Sequence, residues 1–403
     1  HNLFARKNYF YPDLPKGYQI SQYELPLCRD GFTTITVNDH SRRIGITRVH
    51  LEEDTGKLTH VAGGSLVDLN RAGVPLMEIV SEADLTSTEE AYAYVSTLRQ
   101  LVRYLGVSSG DMEKGAMRCE VNLSLRPAGS TEWGTKVEVK NLNSFRSVRR
   151  AIEFEIARQT HLLESGVAVT QVTMGWDENR AETVVQRTKE DAHDYRYFPE
   201  PDLPPLHLSE DRLAELRRAL PELPDARVAR YTTRWGLTAQ EAAILTEHRD
   251  RANYFEAVVA AGEGKISPKS VSNWMTGEAF RLLNETGLPV TDIKITPADF
   301  VRLVELVEGG DINRLSAKEV FARMWQTGDA PDAIVERQGL RQISDAGVLD
   351  KIVAQVIAGN PGPAAQFKGG KEKALKFLIG QVMRQTQGKA NPQQVEALFR
   401  QKL

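Results

Sequence analysis

Alternation of apolar and polar residues predicts short strands in the first half of the chain. The clearest pattern covers residues 118–126, and it recurs over residues 136–140. Because successive side chains of a strand point to opposite faces, each stretch has one apolar face and one polar face. We therefore expect a sheet here that is buried on one side only.

A β-hairpin is predicted nearer the start of the chain. Residues 31–37 alternate, Asn38 and Asp39 favour a turn, and residues 44–51 form a second strand-like run. Turn residues between two such runs are typical of a hairpin. Further strand-like patterns cover residues 65–70, 76–80 and 167–175.

Helical spacing of apolar residues replaces the alternation elsewhere. It covers residues 91–105 and 148–163, and after residue 221 the pattern is helical, with breaks at Gly or Pro. The last candidates predict a small bundle of helices around residues 348–356, 375–382 and 392–399.

Strands followed by helices predict an α+β fold in three parts. We expect a first domain over residues 1–218, with an antiparallel or mixed sheet flanked by helices, because prolines cluster shortly before that boundary. An all-α helical domain over residues 219–332 and a helical-bundle tail over residues 333–403 complete the prediction.

Composition limits the classes of function. The net charge is only −3, so any RNA site must be a local patch. Cys28 and Cys119 offer neither a disulfide framework nor a metal-binding spacing, which favours a cytoplasmic protein. No apolar run reaches the ~18 residues of a membrane span. Because His1 is followed by what reads as mid-domain sequence, we expect a preceding N-terminal segment that contributes to the site.

Three consecutive carboxylates, Glu52, Glu53 and Asp54, follow the predicted strand 44–51. Like charges this close repel unless one binds a proton or a metal ion, and carboxylate oxygens suit Mg²⁺ or Ca²⁺. If the strand continues, Glu53 lies on its apolar side. A solvated acidic turn remains the alternative.

The polar faces of the two clearest strands carry groups that a metal and a phosphate would need. One face presents Arg118 and Glu120, and the other presents Lys136, Glu138 and Lys140. The acids suit a metal ion, and the cations suit the phosphates of ATP. Since every half-buried sheet has a polar face, a solvated surface is the alternative.

Other candidate cations lie on predicted loops. Lys7 and Lys16 flank a tyrosine-rich segment with two prolines, and both are candidates to approach the acid cluster. Near a flexible glycine-containing loop of the tail, cations suited to an RNA backbone are Lys368, Lys371, Arg384 and Lys389. Ordinary surface cations are the alternative in both places.

Several nucleotide and hydrolase motifs are absent from the sequence. Gly264-Lys265 and Gly370-Lys371 lack the flanking residues of a P-loop, and there is no nucleophile elbow or zinc-binding Cys/His set. A nucleotide phosphate would therefore be handled by a sheet face, lysines and Mg²⁺.

Longer motifs carry a family resemblance. The chain closely resembles the B subunit of the bacterial and organellar aspartyl/glutamyl-tRNA amidotransferases, and the similarity covers essentially the whole sequence. The matching motifs are residues 7–23, 48–57, 65–81, 136–145, 194–203, 370–383 and 388–392.

The resemblance implies a ligase that forms a carbon–nitrogen bond with glutamine as amide donor. In this family, ATP phosphorylates the side-chain carboxylate of Glu on tRNA(Gln) or Asp on tRNA(Asn), and ammonia then displaces the phosphate. The ammonia comes through a channel from the amidase, which is the A subunit, and the small C subunit completes a heterotrimer. A non-discriminating aminoacyl-tRNA synthetase is a further candidate partner. The resemblance also implies a cradle-like first domain with the kinase and transamidase site, and a helical domain and tail that bind tRNA.

The resemblance also implies roles for individual residues. The family's metal-binding acids match Glu53 and Glu138, and Glu120 stands where the family often has Asp. The family's lysines at the site and channel mouth match Lys7 and Lys16. The implied cofactors are ATP and Mg²⁺.

Two other readings remain open on the sequence alone. A non-catalytic tRNA-binding scaffold would explain the cations of the tail, but not an acid on an apolar strand face. A stand-alone Mg²⁺-dependent kinase of small acids would explain the acids and lysines without tRNA. The sequence does not distinguish tRNA(Gln) from tRNA(Asn) as substrate.

Overall fold

The computed structural model describes residues 1–38, 40–188, 194–343, 346–386 and 388–403. The chain forms two compact units, His1–Pro221 and Glu222–Leu403. The first unit combines sheets with helices, and the second is built from helices. This arrangement confirms the predicted α+β class.

The first unit contains three sheets and a two-stranded ribbon. Its strands are β1 (Ala5–Asn8), β2 (Tyr18–Ser21), β3 (Cys28–Val37), β4 (His40–Glu53), β5 (Lys57–Val61), β6 (Gly64–Asp68), β7 (Pro75–Ser81), β8 (Cys119–Leu123), β9 (Val137–Leu142), β10 (Val172–Asp177), β11 (Glu182–Thr188) and β12 (Phe198–Pro199). The sheet orders are β12-β1-β2, β3-β4-β7 and β11-β10-β9-β8, and β5 pairs with β6.

Strand direction confirms the predicted hairpin and the predicted mixed sheet. Strands β3 and β4 pair antiparallel, with Val37 opposite His40, although Asp39 of the predicted turn lies outside the described residues. In the four-stranded sheet β9 and β10 run parallel, while the outer pairs are antiparallel. The structure adds strands for which the sequence pattern gives no prediction, namely β1, β2, β5, β11 and β12. The loop predicted to carry Lys7 is therefore wrong at that residue, because Lys7 lies in β1.

Two long helices cover the apolar faces of these sheets. Helix α1 (Thr88–Tyr104) packs Tyr94, Val95 and Leu98 against residues of β3 and β4. Helix α2 (Phe145–Glu164) packs its apolar stripe on the mixed sheet, against residues such as Val139 and Trp176. Each of these two sheets is thereby left with one face that the helix does not cover.

The helices after α2 belong mostly to the second unit. They are α3 (Glu210–Ala219, in the first unit), α4 (Pro224–Trp235), α5 (Ala239–Thr246), α6 (Arg249–Ala261), α7 (Pro268–Trp274), a π-helical turn (Met275–Ala279), α8 (Phe280–Thr286), a 3₁₀ turn (Val290–Asp292), α9 (Pro297–Glu308), α10 (Arg314–Thr327), α11 (Pro331–Gln338), α12 (Ala346–Gly359), α13 (Pro361–Lys368), α14 (Glu372–Gln385) and α15 (Pro392–Lys402).

The second unit has two separate apolar cores. One extends from Tyr231 to Val335, and the other, in α12, α14 and α15, extends from Leu349 to Phe399. The predicted division at residue 332 falls close to the gap between them, and it stays a prediction because residues 222–403 form one unit. The prediction of a flexible loop over residues 366–371 is partly wrong, because residues 366–368 belong to α13.

No helix in the described ranges has the length and apolarity that a membrane crossing requires.

An ion pair with a buried carboxylate fastens β1 to β12. Arg6 Nε donates to Glu200 Oε2 at 2.7 Å, and Arg6 Nη2 donates to Oε1 at 2.9 Å. Glu200 is buried, and the hydrogen bonds from Arg6 hold the pKa of its carboxyl below the ordinary value. This pair fixes the strand that carries Lys7.

The acid sensitivity of the first unit is expected to depend on Glu200. A carboxyl with a depressed folded-state pKa contributes stability that is present above its unfolded pKa of about 4.3 and is lost as the pH falls through the folded value. Glu200→Gln should therefore flatten the decline in stability below about pH 4.3. Hydrogen exchange of the β1 amides between neutral and acidic pH measures this. Glu24→Gln, at an exposed position, is the control, and an unchanged acid slope in Glu200→Gln would contradict the prediction.

Candidate functional site

The register between β4 and β7 places three metal-ligating side chains together. His50 lies opposite Glu78, and Glu52 follows His50 on the same face of β4. His50 Nε2 is 3.1 Å from Glu78 Oε2 and 3.8 Å from Glu52 Oε2. One ligand atom from each of the three lies within 4.8 Å of the others, and we call this set the His50 group.

The two carboxylates of the His50 group favour a proton on the imidazole, while Arg48 Nε lies 3.4 Å from its other ring nitrogen, Nδ1. Burial alone would lower the pKa of His50, but the interactions with the carboxylates of Glu52 and Glu78 outweigh it and raise that pKa to about 9. The hydrogen bond from His50 in turn lowers the pKa of Glu78. A divalent ion would take the place of that proton, because a metal-bound imidazole is neutral.

The donor set of the His50 group fits a divalent ion. Two carboxylates supply the hard oxygen ligands that Mg²⁺ and Mn²⁺ prefer, and the imidazole adds a nitrogen that Mn²⁺ accepts readily. Glu78 is half exposed while His50 is buried, so one side of the group is open to solvent or substrate.

Glu53, the acid favoured by the sequence analysis, is held by β2 and its loop. Its Oε1 accepts a hydrogen bond from the Ile20 amide at 2.8 Å and forms an ion pair with Lys16. The Glu53 carbonyl also accepts from Gln19 Nε2 at 2.7 Å. The predicted proximity of Glu53 and Lys16 is therefore found. Glu53 is outside the His50 group, and its metal-binding and catalytic roles stay predictions.

Lys140 brings the two other predicted acids together. Its Nζ lies 3.3 Å from Glu120 Oε1 and 3.5 Å from Glu138 Oε1. Thr173 Oγ1 donates to Glu138 Oε2 at 2.8 Å. Burial raises the pKa of Glu120 against the effect of Lys140, and the charges of Glu138 and Glu78 raise it further. We call Lys140, Glu120 and Glu138 the Lys140 cluster, and the charge of Glu78 in the His50 group acts on its member Glu120.

Lys7 lies between aromatic rings and close to the His50 group. Its Nζ is 4.7 Å from the centroid of the Tyr195 ring and 5.8 Å from that of Tyr9. The positive charge of Lys7 contributes to the lowered pKa of Glu78. The structure thus places Lys7 near a carboxylate of the site, but near Glu78 rather than in an ion pair with Glu53.

Asp54, the last acid of the cluster, binds two arginines. It is 3% exposed, its Oδ2 accepts from Arg71 Nη2 at 2.8 Å, and the same oxygen forms an ion pair with Arg118. Arg118 is therefore engaged by a carboxylate, and its predicted contact with phosphate stays a prediction. Lys136 is exposed and forms no ion pair with any described residue.

The predicted tRNA contacts lie in the second unit. Lys368 ends α13, Lys371 precedes α14, and Arg384 lies in the last turn of α14. These three are exposed and Lys389 is half-buried. Within the described ranges none of the four forms an ion pair, so their charges are free for a ligand.

Sequence reasoning included Glu52 in a candidate metal-binding cluster, but it assigned no role to His50 or Glu78. The spacing of His50 and Glu52 is a signal that could have been used, because residues two apart on a strand share a face. No sequence spacing indicates that Glu78 lies beside His50, since that proximity depends on the pairing of β4 with β7.

Comparisons with known proteins find family matches in both units of the chain. Residues 1–214 match a family model described as the GatB/GatE catalytic domain, and residues 253–403 match one described as the GatB domain. Relatives from Geobacter sulfurreducens and Roseiflexus castenholzii are each 52% identical, over 100% of this chain and 84% of their own length. A relative from Carboxydothermus hydrogenoformans is 50% identical, over 99% of this chain and 84% of its own. All three are named as the B subunit of an aspartyl/glutamyl-tRNA(Asn/Gln) amidotransferase.

Proposed function

This chain belongs to the B-subunit family of the aspartyl/glutamyl-tRNA(Asn/Gln) amidotransferases, and from that premise we propose that it carries the site that amidates mischarged tRNA. The substrate would be Glu on tRNA(Gln), Asp on tRNA(Asn), or both. ATP would activate the side-chain carboxylate, and ammonia would complete the amide.

One observation supports this proposal above the others. The His50 group, with two carboxylates and an imidazole, lies within electrostatic reach of Lys7 and of the Lys140 cluster. Phosphoryl transfer needs positive charge around the phosphates and a well-placed acceptor oxygen. A scaffold that only bound tRNA would not need acids and lysines drawn from three separate sheets.

Each residue of the site has a proposed task in two balanced steps. In the first, a carboxylate oxygen of the aminoacyl side chain attacks the γ-phosphorus of ATP, and ADP leaves. Lys7 and Lys140 offset the charge on the transferring phosphoryl group. In the second, ammonia attacks the acyl carbon, phosphate leaves, and the nitrogen loses a proton. Mg²⁺ held by His50, Glu52 and Glu78, when bound, would supply charge stabilisation to the phosphates.

Glu53 and Lys16 have a proposed positioning role in the same steps. Because Glu53 accepts from the Ile20 amide, the pair fixes the loop that carries Lys16 against the end of β4. We propose that the loop and its lysine thereby form one wall of the substrate site.

The proposed partners follow from the family. The amidase (the A subunit) would release ammonia from glutamine, the small C subunit would complete a heterotrimer, and a non-discriminating aminoacyl-tRNA synthetase would supply the mischarged tRNA. We propose a cytoplasmic location for this assembly.

A single assay tests the proposed function. The chain is combined with its two partner subunits, ATP, Mg²⁺, glutamine and either Glu-tRNA(Gln) or Asp-tRNA(Asn), and the amino acid released from the tRNA is identified. We expect Gln, Asn or both, and only when ATP is present. tRNA binding without any amide would favour the scaffold, and ATP hydrolysis driven by free glutamate without tRNA would favour a small-acid kinase.

The tail cations are expected to contribute to tRNA affinity. Lys371→Ala and Arg384→Ala should each weaken tRNA binding and reduce the slope of log affinity against log salt by about 1, because each removes one phosphate contact. Binding measured over a salt series checks this.

Lys351→Ala is the matched control, because Lys351 is exposed in the second unit and is not one of the predicted contacts. If the tail variants keep the affinity and salt slope of the unchanged chain, the tail has only a structural role.

A further inference from the structure

A cavity of about 510 Å³ lies at one end of the mixed sheet, outside the His50 group and the Lys140 cluster. Three side-chain amides line this cavity, and we call it the amide pocket. Its polar and aromatic lining includes Asn141, Asn143, Gln186, Ser147, Trp176 and Glu178.

Two irregularities of the backbone, a left-handed residue and a β-bulge, bring two of these amides together. Asn141 has a φ of +62°, a left-handed conformation that side-chain-bearing residues seldom adopt. The pairing of β10 with β11 shifts by one residue beside Thr173, so Gln186 is the extra residue of a β-bulge. Bulges redirect side chains and are frequent beside functional sites.

Gly175 provides the space in which the amides converge. A Cβ at this position would lie 2.2 Å from Gln186 Nε2 and 3.0 Å from Asn141 Nδ2, so no larger residue fits there without movement. Within the described ranges, no residue supplies a hydrogen-bond partner to the side chains of Asn141, Asn143 or Gln186. The three amides are therefore available to a ligand.

The opposite wall is an ionised carboxylate. Glu178 Oε2 accepts from Trp176 Nε1 at 2.6 Å and from Ser147 Oγ at 2.9 Å, and the bond from Trp176 is the main reason that the pKa of Glu178 is lowered. Among the described lining side chains none is positively charged. Glu178 Oε1 also accepts from Arg150 Nη1 at 2.8 Å, and Asp177 is a second carboxylate of the lining. With two acids and no cation in its described lining, the amide pocket suits a neutral group with several hydrogen-bond donors and acceptors rather than a phosphate.

The charged face of the same sheet begins next to the amide pocket. Gly175 pairs directly with Lys140, which holds Glu120 and Glu138. A ligand with a neutral end and an anionic end would find complementary groups at both: the amides of the pocket at one end and the Lys140 ammonium at the other.

We propose that the amide pocket binds adenosine. This proposal rests on the proposed function, in which both substrates carry that group: ATP itself, and aminoacyl-tRNA through its 3′-terminal adenosine. Asn and Gln amides pair with the N6 and N7 edge of adenine, and a carboxylate such as Glu178 accepts from ribose hydroxyls. The phosphates attached to the adenosine would then extend toward Lys140.

The test measures binding to the full chain in the presence of Mg²⁺, without turnover. Gln186→Leu removes one amide at similar length, and Asn141→Gly removes another while glycine accepts the left-handed backbone. Gln171→Leu, at an exposed position just before β10, is the matched control. Circular dichroism and thermal unfolding show which variants are folded. The probes are ATP, GTP, inorganic triphosphate, and tRNA with and without its 3′-terminal adenosine.

We expect the folded variants to bind one adenosine source about tenfold more weakly or worse, with the control unchanged. A loss for ATP but not for triphosphate identifies the nucleotide as the source. A loss for complete tRNA but not for tRNA lacking the terminal adenosine identifies the tRNA end. Unchanged affinity for both sources in a folded variant overturns the proposal. Absence of amide formation by the unchanged complex is a separate result, which would refute the proposed function instead.

Discussion

Replacing Glu78 with glutamine is expected to weaken divalent-ion binding by about 10- to 100-fold or more, since changes even to residues behind a metal ligand have effects of that size. Glu78 Oε2 lies 3.1 Å from His50 Nε2, and the substitution leaves one carboxylate, that of Glu52, in the His50 group. Without an ion, the same change should lower the pKa of His50 from about 9 toward 6.5, because it removes a charged hydrogen-bond partner. Titration with Mn²⁺ and an NMR pH titration of His50 measure the two effects.

The same titration distinguishes the two metal sites under consideration. Glu138→Gln tests the set predicted from the sequence, and Glu113→Gln, at an exposed position in the first unit, is the matched control. Loss of affinity in Glu78→Gln alone locates the ion at the His50 group. Loss in Glu138→Gln with normal binding by Glu78→Gln would instead support Glu53, Glu120 and Glu138 as ligands.

Local patterns in the sequence predicted the elements that depend on local physics. The β3–β4 hairpin follows from alternation around Asn38, and α2 follows from helical spacing that continues to Glu164. Alternation also placed Glu120, Glu138 and Lys140 on polar faces, and these three do meet. Period and turn chemistry are properties of neighbouring residues, so one sequence suffices to show them.

Contacts between distant strands could not be predicted in the same way. Glu78 joins His50 only because β7 pairs with β4 in one register, and a shift by one residue would turn it to the other face. The bulge at Gln186 depends likewise on how β11 pairs with β10. Register is set by the whole packed sheet, and no short pattern in these strands encodes it.

The ion-pair partners of charged residues could not be predicted from local sequence either. Alternation shows which face Arg118 occupies but not its partner, so a phosphate was a reasonable prediction for it. In the structure the partner is Asp54, far away in sequence and buried. The three consecutive acids therefore have different partners: Glu52 belongs to the His50 group, Glu53 binds Lys16, and Asp54 binds two arginines.

Replacing Asp54 with alanine is expected to destabilise the first unit by about 3 kcal/mol, because hydrogen bonds to charged groups contribute roughly 1.5–3 kcal/mol each and two arginines lose their acceptor. Both arginines are half exposed, and water would solvate part of the released charge, so we do not expect the sum of the two maxima. Hydrogen exchange of the β4 and β7 amides, which lie on either side of Asp54, measures the loss in this unit specifically. Exchange in the second unit should not change.

Two further variants separate the buried charge of Asp54 from ion pairing in general. Asp202→Ala removes an acid that is 86% exposed and lies 3.6 Å from Arg6, and it should cost no more than about 1 kcal/mol. Asp54→Asn keeps an acceptor but removes the charge, so its cost should fall between the two alanine variants. If Asp54→Ala is no more harmful than Asp202→Ala, Arg118 is not committed to Asp54, and its predicted contact with phosphate becomes the better explanation of its place on the sheet.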